Sequence, residues 1–267
     1  MENKIINESD IKKNLEKIKH KIIVLSGKGG VGKSTVSAYL ALMLSQNGKH
    51  VGILDSDFHG PTIPKILGVE NKKLESVSTV IKPVSLNSNL KIMSIGFLLV
   101  DKDSPVIWRG PLKMGAIKQF IGGVDWGELD FLIIDLPPGT GDEPLSVIQT
   151  IQDSDGAIIV TTPQDVALLS VRKSINFVKK MNIPVIGIIE NMSGFTCPHC
   201  KKNIDIFKTG GGLKASIDLG VKFLGKIPLD PVIVENGDKG NTLLSNKKSD
   251  TMKSFKKIVE KIEKQIV

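Results

Sequence analysis

Residues 27–35 read Gly-Lys-Gly-Gly-Val-Gly-Lys-Ser-Thr, just after the apolar run Ile22-Ile23-Val24-Leu25 and directly before Val36-Ser37-Ala38-Tyr39-Leu40-Ala41. A β-branched run, a glycine-rich turn and an apolar helix in succession constrain this chain more than any other feature. Gly27, Gly29, Gly30 and Gly32 permit backbone angles closed to other residues, so successive N–H groups can turn inward around a polyphosphate. A helix starting near Lys33 adds unpaired N–H groups and the positive end of its dipole. Lys33 then supplies a point charge to the β- and γ-phosphates and Ser34 a hydroxyl to Mg²⁺. Gly48 is placed to stop the helix. The ligand class is therefore a nucleoside polyphosphate.

The same alternation continues along the chain. Strands are expected at 22–26, 51–54, 90–95, 131–135, 157–161, 185–190 and 222–226, and helices at 33–46, 111–121, 143–151, 164–181, 230–236 and 250–266. Continuous apolar strands such as Phe131-Leu132-Ile133-Ile134 imply burial on both faces. The predicted fold class is α/β: a doubly wound, mostly parallel sheet flanked by helices, with ligands at the carboxyl ends of the strands. A chain of 267 residues with 40% apolar residues suits one such domain, 1–267. Residues 1–20 are expected as a helical extension, and 70–90 and 194–215 as excursions from the core.

Acidic residues fall where that geometry needs them. Asp55 and Asp57 follow one strand and Asp135 ends another, in Asp135-Leu136-Pro137-Pro138-Gly139-Thr140-Gly141-Asp142. Carboxylates beside a phosphate loop can hold the water shell of Mg²⁺ or orient an attacking water. Gly139 sits where a backbone N–H can sense a γ-phosphate. Asp142, ahead of Glu143-Pro144, is expected as a helix cap.

Composition excludes several classes. No stretch approaches the ~20 apolar residues that span a bilayer, and residues 1–21 lack the apolar core of a secretion signal. A cytoplasmic location is expected. Aromatics make up 4%, against a stacking surface for single-stranded nucleic acid. The net charge of +8 comes almost entirely from lysine, with Arg109 and Arg172 the arginines. Base reading and bidentate phosphate contacts favour arginine, so a solvated basic surface is expected and no nucleic acid. In the C-terminal segment Met252, Phe255, Ile258, Val259, Ile262 and Ile266 form a stripe between lysines. Such a helix packs on a sheet or lies on a membrane; packing is expected. The two cysteines, Cys197 and Cys200, flank Pro198-His199. That is too few for a disulfide framework and close enough for a shared chemical role.

With these segments in view, the chain resembles the Mrp/ApbC family of iron–sulfur cluster carrier ATPases, related to MinD and carrying the deviant Walker A form of the phosphate loop. The likeness covers about residues 20 to 240. It rests on GKGGVGKST (27–35), DSDFHGPTIP (55–64), WRGP (108–111), IIDLPPGTGD (133–142), TTPQDVAL (161–168), IENMSGFTCPHC (189–200) and IPLDP (227–231). The cysteine segment sets the family apart from MinD and ParA.

The resemblance implies a slow, ATP-hydrolysing homodimer that binds a [4Fe–4S] cluster and passes it from a donor to recipient apo-proteins. It implies nucleotide binding by Gly27, Lys28, Gly29, Gly30, Val31, Gly32, Lys33, Ser34 and Thr35, with Thr35 at the α-phosphate. Lys28 would cross to the phosphates of the second subunit, a charge supplied in trans. Catalytic roles fall on Lys28, Lys33 and Asp57, Mg²⁺ on Ser34, Asp57 and Asp135, and switch II on Asp135 and Gly139. Asn191, with backbone around Pro228 to Asp230, would recognise adenine. Cys197 and Cys200, with their copies in a second subunit, would hold the cluster at the dimer interface.

A physical argument runs beside this implication. A [4Fe–4S] cluster takes four thiolates and this chain owns two, so a symmetric dimer completes the set. Zinc suits the same four-thiolate site equally. Thiol–disulfide exchange is disfavoured because the pair follows a strand rather than opening a helix. The sequence has no domain ahead of the loop and no amino-terminal cysteine motif like that of the eukaryotic scaffold members, so no second cysteine-held cluster is expected. A MinD/ParA-like positioning ATPase that binds membrane or DNA in its ATP state is the alternative. A kinase or synthetase ranks last, as nothing resembles an acceptor site.

Overall fold

The computed structural model describes residues 6–77, 80–99, 108, 110–240 and 249–267. Arg109 of the 108–111 segment, residues 1–5 and the 241–248 part of the basic C-terminal region lie outside the described residues. The chain opens with α1 (Glu8–Leu15), β1 (Ile18–Leu25), α2 (Lys33–Gln46), β2 (Val51–Asp55) and α3 (Ile63–Ile66). A hairpin of β3 (Glu75–Val77) and β4 (Val80–Lys82) precedes β5 (Val84–Asn87), β6 (Leu90–Ser94) and a 3-10 turn, Ile95–Leu98. Next come α4 (Gly110–Gly122), β7 (Leu129–Asp135), α5 (Asp142–Ile151), β8 (Gly156–Thr161), α6 (Asp165–Lys180) and β9 (Val185–Glu190). A small hairpin, β10 (Phe195–Thr196) and β11 (Asn203–Ile204), leads to α7 (Gly211–Asp218), β12 (Phe223–Lys226), α8 (Pro231–Lys239) and α9 (Asp250–Ile266).

Among the described residues the main sheet has eight strands in the order β12-β9-β8-β1-β7-β2-β6-β5. Every pairing is parallel except that of β5 with β6. Period-two alternation divides the core between the two faces of the sheet. Ile22, Val24, Ile133 and Val160 face the side covered by α2 and α9, while Ile23, Leu25, Ile134 and Ile159 face the side covered by α1, α4, α5 and α6. Each fully buried aliphatic contributes about 1.5–3 kcal/mol. A strand buried on both faces therefore needs no polar alternation, which is why these runs are legible as parallel strands.

Five local expectations change. β1 begins at Ile18 rather than 22, because its polar start is matched across the sheet: Lys19 pairs with Asp130 at 2.8 Å and His20 lies 3.0 Å from Asp155. The expected extension 1–20 therefore narrows to α1, started by a capping box between Asn7 and Asp10. The expected excursion 70–90 contributes β5 to the sheet edge, with Val84 buried. Asp142 is not the cap of α5: Gly141 holds that position and Asp142 is the first helical residue, where its charge still favours the dipole. The end of the 194–215 excursion is helical, as α7. In α9, Met252, Phe255, Ile258, Val259 and Ile262 are all buried in the α2-side core, so its apolar stripe is spent inside the fold.

Candidate nucleotide and cysteine sites

The loop 27–35 leaves the end of β1 at the centre of the sheet, where neighbouring connections depart in opposite directions. This is the place an open α/β sheet binds ligands. Gly32, at φ +78°, caps α2 without a side-chain bond, leaving the first N–H groups of the helix directed at the crevice. Gly29 and Gly30 face open space. Gly32 and Gly27 have a second constraint. A Cβ at Gly32 would lie 2.3 Å from Asn191 Nδ2, and one at Gly27 would lie 2.4 Å from the Ser170 carbonyl oxygen. Gly27 and Gly32 are thus required by packing, whatever the loop binds. The loop, Asp57, Gly60, Thr62 and Pro138 line a cavity of about 260 Å³.

Asp135 organises the floor of this crevice. It is fully buried, and its carboxylate accepts from Lys33 Nζ at 2.7 Å, Ser34 Oγ at 2.6 Å and Ser37 Oγ at 2.6 Å. Lys33 is itself only 6% exposed. Three donors from the first turns of α2 converge on an acid 98–102 residues away in sequence. Sequence reasoning missed Ser37, although its i, i+4 spacing from Lys33 puts both on one helix face.

Asp55 and Asp135 are register partners on β2 and β7. Asp55 is fully buried and accepts from Ser94 Oγ at 3.0 Å and the Ile63 N–H at 3.3 Å. Burial, followed by the charge of Asp135, pushes its carboxyl up to about 8, against the opposing pull of Lys33. Asp57, two residues on, reaches the loop cavity, and its Oδ1 accepts from the His59 and Gly60 N–H groups. The two acids of Asp55-Ser56-Asp57 therefore have different environments, which their spacing did not separate although the family resemblance singled out Asp57.

The segment after β7 is held in a defined state. The Gly139 N–H donates to the Ser26 carbonyl at 2.8 Å, with Gly139 at φ +92°. Ser26 Oγ in turn donates to the Lys28 carbonyl at 2.9 Å. An unexpected cluster joins the 55–61 loop to α4 and α5: His59 Nε2 lies 3.1 Å from Glu143 and 3.0 Å from Lys113 Nζ, and Lys113 also pairs with Glu143. Burial opposes ionisation of Glu143, but the bonds from Lys113 and His59 outweigh it and hold the carboxyl below its ordinary value. The Lys28 side chain is half-buried and makes no ion pair among the described residues.

Asn191, at the end of β9, is buried and donates from Nδ2 to the Val31 carbonyl at 2.9 Å. Asp230 caps α8 through the Val232 N–H and accepts from Thr251 Oγ1 at 2.7 Å, so its side chain is committed to the fold. The sequence analysis missed Glu190, beside Asn191. It is fully buried and accepts from Ser193 Oγ and the N–H groups of Gly210 and Gly212.

Cys197 and Cys200 occupy the β10–β11 turn, in which the Cys197 N–H donates to the Lys202 carbonyl and the Lys201 N–H to the Cys197 carbonyl. Both thiols are free; Cys197 is half-buried and Cys200 exposed. Backbone N–H groups of Cys200 and then His199, with the Cys200 thiol, hold the Cys197 thiol below its ordinary value. Among the described residues no three His, Cys, Asp or Glu side chains converge as a metal site. Within one chain the pair therefore offers two thiols and no further ligand among the described residues. The donor sets fit their expected groups: paired soft thiols suit iron or zinc, and the Ser34, Asp57 and Asp135 oxygens suit Mg²⁺.

Comparison with known proteins agrees with this geometry. Residues 17–263 match the ParA family described as NUBPL iron-transfer P-loop NTPase. The chain is 58% identical over 259 residues to the iron-sulfur cluster carrier protein of Methanocaldococcus jannaschii, covering 96% of this chain and 89% of the relative. It is 51% identical over 251 residues to the cytosolic Fe-S cluster assembly factor NUBP2 homolog of Dictyostelium discoideum, covering 92% and 95% of the two chains. Among solved structures, the nucleotide-binding protein of Archaeoglobus fulgidus in complex with ADP superposes with a TM-score of 0.81 at 41% identity, covering 94% of this chain and 97% of that one.

Proposed function

The chain belongs to the ParA family as a NUBPL-type iron-transfer P-loop NTPase, and from that premise we propose that it is a homodimeric ATPase that carries a [4Fe–4S] cluster on Cys197 and Cys200 and delivers it to apo-proteins. One observation carries this reading: two free, neighbouring thiols at an accessible turn, with no third metal ligand beside them among the described residues. Two chains supply the four thiolates a cluster takes. A cargo held by two ligands from each side of an interface can be released when that interface loosens.

The nucleotide site supplies the control. The N–H groups of Gly27 to Thr35 cradle the phosphates, with Thr35 at the α-phosphate, and Lys33 exchanges Asp135 for the β- and γ-phosphates. Ser34, Asp57 and Asp135 would hold Mg²⁺, which neutralises charge developing on the phosphates. Asp57 orients the hydrolytic water, and Lys28 supplies positive charge across the interface. The Gly139 N–H leaves Ser26 for the γ-phosphate. Asn191 and the backbone from Pro228 to Asp230 receive the adenine.

The test is anaerobic reconstitution followed by iron and sulfide analysis and by sedimentation. One cluster per two chains, lost in Cys197→Ala/Cys200→Ala, is the expected result. Wild-type uptake no greater than that variant's ends the reading, and zinc alone at the thiols replaces it with a structural metal site. A membrane-positioning ATPase loses its main support with the α9 stripe buried in the core.

A further inference from the structure

Glu190 and Asn191 are adjacent in sequence but hold different parts of the molecule. Asn191 donates to the Val31 carbonyl inside the phosphate loop. Glu190 grips both ends of the segment that carries the cysteines: Ser193 Oγ on the entering side, and the N–H groups of Gly210 and Gly212 on the leaving side. The entering side is also stitched to the 227–229 backbone, through Ser193 N–H to the Ile227 carbonyl at 2.9 Å and Leu229 N–H to the Gly194 carbonyl at 2.8 Å.

The leaving side is shaped for this grip. Gly210 has φ +84°, a Cβ at Gly211 would lie 2.2 Å from the Pro163 carbonyl oxygen, and one at Gly212 would lie 3.0 Å from Glu190. Only a run of glycines lets the start of α7 close onto the carboxylate and onto the β8–α6 connection. The carboxylate is 0% exposed and accepts from all three groups. A buried polar network of this kind is rigid when complete and costly when one member is changed. A displacement of the phosphate loop would reach Asn191 through its bond to Val31 and, one peptide unit away, the seat of the cysteine segment.

We propose that Glu190 is a positioning residue that ties the seat of the cysteine hairpin to the phosphate loop, so that nucleotide at the loop is felt at Cys197 and Cys200. The proposal rests on the reading that both sites serve one process, but its test uses the thiols alone. Reaction of Cys197 and Cys200 with a chromogenic aromatic disulfide is timed in metal-free, full-length protein, with and without a non-hydrolysable ATP analogue and Mg²⁺. Wild-type rates should differ at least about fivefold between the two states, the lower range of allosteric coupling.

Glu190→Gln keeps the side-chain volume but turns one acceptor into a donor facing a glycine N–H. It should bring the ratio of rates close to one while nucleotide still binds. Ser193→Ala, which removes one donor and little volume, should reduce the ratio and decides the matter if Glu190→Gln fails to fold. A wild-type ratio near one, or a folded Glu190→Gln or Ser193→Ala variant with the wild-type ratio, overturns the proposal. Cluster binding is read separately by reconstitution, so lost coupling with retained cluster is distinguishable from a protein that carries no cluster.

Discussion

The Lys33 ammonium lies 2.7 Å from the Asp135 carboxylate, and both groups are buried. The lysine that the phosphate loop presents to a nucleotide is thus matched beforehand by an acid of the protein itself. In the proposed nucleotide-bound state, phosphate would replace that partner and keep the lysine paired. The same exchange would free Asp135 for the Mg²⁺ role proposed for it with Ser34.

Removing the acid should therefore be costly without nucleotide and less so with it. Asp135→Ala leaves a buried ammonium unpaired, and the expected loss is about 3–5 kcal/mol. Urea unfolding measures it. Saturating ADP should recover part of the loss, because its phosphates give Lys33 a new counter-charge.

Asp55 makes stability depend on pH. Its folded carboxyl, raised to about 8 from 3.8, keeps a proton that the unfolded chain releases. The associated stability is present below about pH 4 and is lost as pH rises toward 8, with a slope of at most about 1.4 kcal/mol per pH unit. Asp55→Asn, which mimics the protonated form, should flatten this decline. Urea midpoints at pH 5 and pH 8 for both proteins provide the check.

Gly139 reaches Ser26 with a backbone angle that a side chain strains. Gly139→Ala meets open space around its new methyl, so the cost of about 1–3 kcal/mol falls on the backbone. Hydrolysis should slow by about tenfold or more, with ADP affinity nearly unchanged, if release of Ser26 accompanies each turnover. Steady-state hydrolysis and ADP titration separate the two quantities.

Lys28 has no ion pair to lose among the described residues, so its replacement should not unfold the protein. Lys28→Ala is expected to retain nucleotide binding and to reduce hydrolysis by about 10³-fold, the low end of a charge supplied in trans. Mixing Lys28→Ala with an Asp57→Ala partner should show whether the two residues act across subunits.

Cys197 should react before Cys200 at neutral pH despite its lower exposure, because backbone N–H groups stabilise its thiolate. Limited alkylation at pH 7 followed by peptide mass analysis gives the order. A preference for Cys200 would mean that access, not thiolate character, governs the pair.

The phosphate loop was legible because its chemistry is contiguous: glycines, lysine and serine act within nine successive positions, between a strand and a helix whose periodicities are local. The alternation of buried strands and helices was legible for the same reason. The cysteine pair declared itself by its spacing. At the edges legibility failed: β1 starts at Ile18 because Asp130 and Asp155 lie beside its polar residues, and β5 joins the sheet because β6 offers it an edge. The two acids beside β1 lie 111 and 135 residues from their partners, whereas β6 directly follows β5 but owes its place in the sheet to the distant strand β2.

Sequence alone therefore determined the nucleotide-binding class of the chain and the α/β architecture, and it singled out the thiol pair on which the proposed cargo site rests. The tertiary structure decided that Asp55 is sealed in while Asp57 faces the crevice. It decided that Asp135 gathers Lys33, Ser34 and Ser37, and that Glu190 and Asn191 hold the cysteine segment and the phosphate loop from adjacent positions. These are contacts between strand ends, set by the order in which strands lie side by side. A carboxylate's role follows from its burial and its donors, and both arise only when that order brings distant residues together.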